Sequence, residues 1–462
     1  MEKKVVKLGF APTRRDIFSK ADAIEYKNRI IKKLEQSGID FIGLEWLNSE
    51  GLLFDARDVG KVVKKFQEEQ VDAVFTPHCN FGTEEAVAKL GKSLNKPLLL
   101  WGPRDEAPLA DGSRLRDSQC GLFATSKVLK RFGVPFTYME NCRIDDPVFA
   151  SGVKDFIAAA AVVKSFKSMR IGQIDTRPES FLSVMCSEGE LLEKFGIEVI
   201  PVTLIEIADK MNLLLKKDDE RVMSAIEDYK ARINFAGNQQ DFFSKTAALK
   251  YAIKDWAEEK SLSAVAIQCW DALQSITGIM PCFADSELTD EGLPIVCETD
   301  ICGAVTAAAV QAAVQQQTPV FFADLTIRHP ENNNAELLWH CGPFPYSLKK
   351  DGANAKIGEH YVLESKCPGV AEWEIKGGDI TICRFDGCSG KYSFLLAEGK
   401  GVDGPRCRGT YVWVEFRDWP SLERKIIEGP YIHHVVGVHG KIIPVMTEAF
   451  KYLPGIAPDI ME

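Results

Sequence analysis

The chain has 462 residues, of which 45% are hydrophobic and 26% charged. This globular composition excludes a disordered, collagen-like or mini-protein class. Lys and Arg number 56 against 66 Asp and Glu, a formal charge of −10. With no basic tract, that balance excludes a dedicated nucleic-acid binder and a ligand of anionic membrane surfaces.

No apolar run reaches the roughly 18 residues of a membrane span. The opening MEKKVVKLGFAPTRR lacks the apolar stretch of a signal peptide. Thirteen cysteines occur without a CxxC pair, so free thiols in a reducing cytoplasm are expected.

Apolar strands and amphipathic helices alternate through the first third. Val5 to Phe10 reads as a strand and residues 17–37 as a helix. A strand follows at 41–45, a helix at about 55–69, a strand at 71–78, a helix at 83–94 and a strand at 96–103. Such βαβ units predict a parallel, doubly wound layer. A second series starts near 169, with strands at 169–176, 197–203, 263–271, 293–300 and 319–326. A charge-laced helical stretch covers about 204–260, and an Ala- and Val-rich helix covers 301–315. Beyond about 330 the pattern changes to strands at 378–387, 391–400 and 409–418, separated by Gly-rich turns. The expected architecture is α/β: two doubly wound Rossmann-like domains, 1–168 and 169–330, then a smaller β-rich domain, 331–462.

Ligands of open α/β sheets collect beyond the carboxyl ends of the strands. There is no GxGxxG after the first strand, no GxxxxGK[ST] and no GxSxG, so a dinucleotide, P-loop or serine-hydrolase site has no motif behind it. Glu298 and Asp324 each end an apolar run, and one crossover helix lies between them. Strands joined in this way usually neighbour each other, which would bring both carboxylates to one sheet edge. Facing carboxylates repel unless a cation or a shared proton intervenes; as separate residues, each could equally cap a helix. Six of the seven histidines lie after residue 328, His433 and His434 as a pair. Mixed His and carboxylate sets suit manganese, iron or zinc.

CETDICGAV, then FFADLT, LLWHCGPFP and a late HHVVG, with FAPTRR and DSQCGLF near the start, resemble the L-fucose isomerase/L-arabinose isomerase superfamily in order and spacing. The resemblance implies an aldose–ketose sugar isomerase working through a cis-enediol(ate). It implies Mn²⁺, with Co²⁺ or Mg²⁺ as substitutes, held by Glu298, Asp324 and His434, with His340 as a fourth ligand. Glu298 and Asp324 would also serve as acid/base groups, and His433 would sit beside the substrate. A homohexamer or homotrimer is implied, with each pocket completed by a neighbour's residues around Cys120 and by His78.

Arg14 and Arg15 end the first strand, where they could meet the distal end of a sugar or simply start a helix. If one faces the pocket, a sulfonated or phosphorylated sugar becomes the expected substrate. Trp101, Trp270 and Trp339 suit either a sugar face or core packing. Other classes stay open at this level: a sugar-binding regulatory protein without catalysis, and a metal-dependent hydrolase or lyase.

Overall fold

The computed structural model describes residues 5–270, 272–360 and 366–461. Cα packing divides the chain into two compact units, Lys4–Lys164 with Pro444–Pro454, and Ser165–Ile443 with Gly455–Glu462. Three domains, divided at 168 and 330, were expected; here no unit boundary falls near 330.

The first unit holds a five-stranded parallel sheet made of β1 (Leu8–Phe10), β2 (Phe41–Ile42), β3 (Ala73–Pro77), β4 (Leu98–Trp101) and β5 (Thr137–Tyr138). Its order is β2-β1-β3-β4-β5, the doubly wound order whose direction reverses between β1 and β3. β3 and β4 are buried at every position, which is why AVFTP and LLLW show no polar alternation. Trp101 fills the centre, with the Phe149 ring 4.7 Å away.

Residues 444–454 return to this unit. The Tyr452 hydroxyl donates to Leu98 O at 3.1 Å, accepts from Leu98 N–H at 3.3 Å and lies 3.1 Å from Thr137 Oγ1. One phenol therefore ties β4 and β5 to a segment distant in sequence.

The second unit holds a four-stranded parallel sheet of β6 (Arg170–Ile174), β7 (Glu198–Val202), β8 (Ala264–Ile267) and β9 (Ile295–Cys297), in the order β7-β6-β8-β9. The charge-laced stretch resolves into helices Leu204–Lys216, Glu220–Arg232 and Gln239–Glu259. Each begins with a side-chain cap, from Thr203, Asp219 and Asn238.

Nine further strands form a second sheet in this unit. They are β10 (Phe321–Arg328), β11 (Ala335–His340), β12 (Lys356–Glu359), β13 (Pro368–Glu374), β14 (Asp379–Cys388), β15 (Lys391–Val402), β16 (Thr410–Phe416), β17 (His434–His439) and β18 (Ile456–Met461). β16, β11, β10, β17, β14 and β15 pair antiparallel in succession, and β15 pairs again with β16. The ring closes into a six-stranded barrel, which removes its free edges. The helix Ile301–Ala313, buried at twelve of its thirteen positions, packs against β8 and β9 and against β14 and β17.

One expectation is corrected. The run at 319–326 was read as the last parallel strand of the central series, beside the strand at 293–300. Instead, β10 is antiparallel to β11 and β17, and the parallel sheet ends at β9. The run VFFAD is apolar because both faces of β10 are covered. Phe321 and Ala323 enter the barrel's hydrophobic cluster, while the Phe322 ring lies against His340 and His434. A doubly covered barrel strand and a doubly covered parallel strand read alike in sequence.

Among the described residues no helix is long and apolar enough to cross a membrane. Replacing Tyr452 by Phe should strand the buried Leu98 amide. The expected loss is about 1–3 kcal/mol, read as a lower urea midpoint. An unchanged midpoint would mean that residues 444–454 do not anchor the first unit.

Candidate metal centre

Three adjacent barrel strands and one loop supply the centre. In the β10–β17 ladder Asp324 sits directly opposite His434. On the other side of β10, Asp324 is opposed to Trp339, next to His340 at the end of β11. A bulge interrupts the β10–β11 ladder just past Asp324, between Leu325 and Arg328, a device that re-aims side chains beside functional sites. Asp324 therefore lies within a strand, not at a strand end beside Glu298 as expected.

Glu298 follows β9 in an unusual backbone. Glu298 and Thr299 have φ of 64° and 55°, two consecutive left-handed residues without a glycine. Each costs about 1–2 kcal/mol relative to an ordinary conformation. The surrounding packing sustains that strain, which is characteristic of functional turns. Asp300 then caps the helix Ile301–Ala313, accepting from Gly303 N–H at 2.9 Å. Gly303 is needed there, because a Cβ would lie 2.7 Å from Asp300 Oδ2 and 2.9 Å from the Phe322 ring.

Four side-chain atoms converge. His434 Nε2 is 3.1 Å from Glu298 Oε2 and 3.5 Å from Asp324 Oδ1, and His340 Nε2 is 4.0 Å from Asp324 Oδ1. All four atoms are buried and none has a hydrogen-bond partner. Two carboxylate oxygens and two imidazole nitrogens, desolvated and facing one another, are costly unless a cation, an imidazolium or a bound metal, lies among them. The donor set fits a divalent ion such as manganese. His433, exposed, has its ring centroid 4.3 Å from that of His434, and one of its nitrogens is within 4.8 Å of donor atoms of Glu298 and His434. His439 lies at the far end of β17, bonded to Lys376 O at 2.9 Å.

Supporting contacts orient the donors. His434 Nδ1 is 2.9 Å from Asp300 Oδ2, which leaves Nε2 as the free face of the ring, the usual carboxylate–histidine arrangement behind a metal. The Arg384 guanidinium donates to both Asp300 oxygens and to Asp386 Oδ2. Burial alone would raise the Asp300 carboxyl, yet Arg384 and His434 hold it well below the usual carboxylate range. Burial opposes charge on His434, but Asp300, with Glu298 and Asp324 close by, pushes its imidazole up to about 9. Burial raises the Asp324 carboxyl.

Around His340, Cys341 N–H donates to Nδ1 at 2.8 Å, and Cys341 Sγ lies 3.1 Å from the same nitrogen. The Trp339 ring is parallel to that of His340, with centroids 6.1 Å apart. Its indole N–H bonds to Arg408 O. Trp270 Nε1–H donates to Glu298 Oε1 at 3.3 Å.

Glu298, Asp324, His340, His433, His434 and Trp270 thus form one group, with Trp339 on its edge. Arg14, Arg15, His78 and Cys120 belong to the other unit. There Arg14 is buried, with its fork on Glu50 at 2.5 and 3.1 Å. Arg15 donates to Gly82 O at 3.1 Å and lies over the Phe81 ring. His78 is buried with both ring nitrogens unpartnered, and burial lowers its imidazole to about 3. Cys120 is exposed. Sequence reasoning missed Arg384 and Asp386. The signal was available: a cation and an anion two residues apart in the buried strand ITICRFDG must be answered by buried partners.

Residues 9–167 match the family described as fucose/sulfoquinovose isomerase, N-terminal domain. The sulfoquinovose isomerase of Alkalicoccus urumqiensis is 25% identical over 379 residues, covering 82% of this chain and 83% of that one. That of Priestia aryabhattai is 23% identical over 421 residues, covering 89% and 92%, and that of Clostridium sp. (strain MSTE9) is 24% identical over 332 residues, covering 69% and 70%. Residues 9–167 thus match that family's N-terminal domain, and most of the chain is similar to sulfoquinovose isomerases.

Proposed function

We propose that the chain is a metal-dependent aldose–ketose isomerase whose substrate is an anionic, sulfonated sugar. The observation that carries the reading is the convergence of the unpartnered Glu298 Oε2, Asp324 Oδ1, His340 Nε2 and His434 Nε2 in a buried space. The sulfonated substrate follows from the relatives, each of which is a sulfoquinovose isomerase.

Isomerisation moves one proton between C1 and C2 and another between their oxygens. Glu298, Asp324 and His434, with His340 as fourth ligand, would hold Mn²⁺, which when bound would supply a Lewis acid for the substrate's carbonyl and hydroxyl oxygens. Trp270 orients the Glu298 carboxylate through Oε1, and that carboxylate is the group to take the carbon-bound proton. Asp324, on the strand paired with that of His434, is placed to move a proton to and from a substrate oxygen. Phe322 covers one side of both imidazoles and keeps water from that side. His433 is placed to bond a sugar hydroxyl. The reading includes Co²⁺ or Mg²⁺ as poorer substitutes, a cytoplasmic location and a symmetric homohexamer or homotrimer.

Exhaustive chelation should abolish aldose–ketose turnover on a panel that includes sulfonated sugars, and Mn²⁺ should restore it. Glu298→Gln and Asp324→Asn should each lower turnover at saturating Mn²⁺ by at least about 10²-fold. Near-normal turnover in both variants would remove the isomerase reading. In D₂O, deuterium should appear at the new C–H bond of the product; its absence after many turnovers would indicate a direct hydride shift.

Asp300→Asn separates orientation from chemistry. It keeps the side-chain size but loses the charge that holds His434. Mn²⁺ affinity should fall about 10–100-fold, measured by titration, with turnover largely recovered at excess Mn²⁺. A loss that excess Mn²⁺ does not repair would give Asp300 a part in the chemical step.

A further inference from the structure

The parallel sheet of the second unit has its own crevice. Its order, β7-β6-β8-β9, reverses direction between β6 and β8, and ligands of such sheets collect beyond the carboxyl ends of the strands at that point. Ile174 ends β6 opposite Ile267 at the end of β8, and Ile267 lies opposite Cys297 at the end of β9. Asp175, Gln268 and Glu298 therefore leave the sheet at one level. Neighbouring strands lie about 4.8 Å apart, so the turn after β6 starts about 10 Å from the one that carries Glu298.

That turn holds a cation without a counter-ion. Arg177 is partly buried, and its Nη1 donates to Pro178 O at 3.1 Å and to Glu179 O at 2.9 Å. Among the described residues no carboxylate pairs with it, and Nε and Nη2 have no partner. Asp175 and Glu179 flank it in sequence, but Asp175 Oδ1 accepts from Thr176 N–H at 2.7 Å and neither side chain meets the guanidinium. Two backbone carbonyls thus fix one amino group and leave the Nε–Nη2 edge, which can grip an oxyanion with two parallel hydrogen bonds.

The arginines of the barrel strands around the metal centre are already answered. Arg384 lies between Asp300 and Asp386. Arg328, at the end of β10, pairs with Glu423 at 2.7 Å. Arg408, beside Trp339, pairs with Glu372 at 3.6 Å. The Arg177 turn, by contrast, reaches the centre through aromatic contacts. Phe181 meets the Trp270 ring edge-on, with centroids 5.1 Å apart, and Trp270 donates to Glu298 Oε1. Both rings are partly exposed, and β8, which leads to Trp270, lies between β6 and β9.

We infer that Arg177 binds the sulfonate of the substrate through Nε and Nη2, with the sugar laid along Phe181 and Trp270 and its carbonyl end at Glu298. The inference rests on the isomerase reading for its sugar and adds the residue that selects the charged group. The span suits a sugar whose sulfonate sits at the end remote from the carbonyl.

The test measures, on Mn²⁺-supplemented protein, the affinity for sulfoquinovose and for the same sugar with hydrogen in place of the sulfonate. Calorimetry reads binding, and turnover is followed on the same samples. The unaltered chain should prefer the sulfonated sugar at least about tenfold, and added salt should shrink that preference. Arg177→Gln should abolish the preference while the affinity for the unsulfonated sugar stays within about twofold, and Arg177→Lys should restore part of it. Arg328→Gln, whose cation is already paired, should keep the preference within about twofold. An unaltered chain without preference, a preference that survives Arg177→Gln, or an Arg177→Gln chain that weakens both sugars alike would each overturn the inference. So would a preference lost in Arg15→Gln instead. A preference that depends on Arg177 without any turnover would uphold the sulfonate site and remove the isomerase reading.

Discussion

Asp300 carries three loads at once. One oxygen caps a buried helix, the other holds the His434 ring, and both accept from Arg384. Asp300, His434 and Arg384 are all essentially excluded from solvent, so none of these charges can be answered by water. Removing one member of such a set typically costs about 3–5 kcal/mol. Because the three residues come from the turn after β9, from β17 and from β14, the network also joins the parallel sheet's last loop to two barrel strands. The orientation of the metal-facing nitrogen and the docking of the helix therefore rest on the same carboxylate.

The strained turn at Glu298 and Thr299 makes sense in that setting. Asp300 must sit at the helix N-terminus to cap it, and Glu298 must reach Asp324 and His434 across the barrel. Two left-handed residues between a strand and its helix allow both. The capped helix and the Asp300 charge network supply the stabilisation that the turn consumes.

Much of this could be read from the residues themselves. The strands of both parallel sheets follow their apolar runs, and Glu298, Asp324, His340 and His434 come together from positions marked by residue type and order. Two things were hidden, each for a physical reason. β10 was placed in the wrong sheet because a strand covered on both faces shows no alternation, whichever sheet it joins. Arg384 and Asp386 were passed over because attention to strand ends misses charges in the middle of a buried strand. Their spacing on one face of β14 was the clue, since an interior cation needs a buried anion, and Asp300 is that anion.

The return of residues 444–454 to the first unit sets an order on synthesis. Leu98 and Thr137 leave the ribosome long before Tyr452, which is made some 280 residues after the unit's main stretch ends at Lys164. At about 5–20 residues per second, that gap lasts roughly 15–55 s. Throughout it, the nascent first unit lacks the phenol that answers its Leu98 amide and carbonyl. Those hydrogen bonds can form only once residues 444–454 have been made.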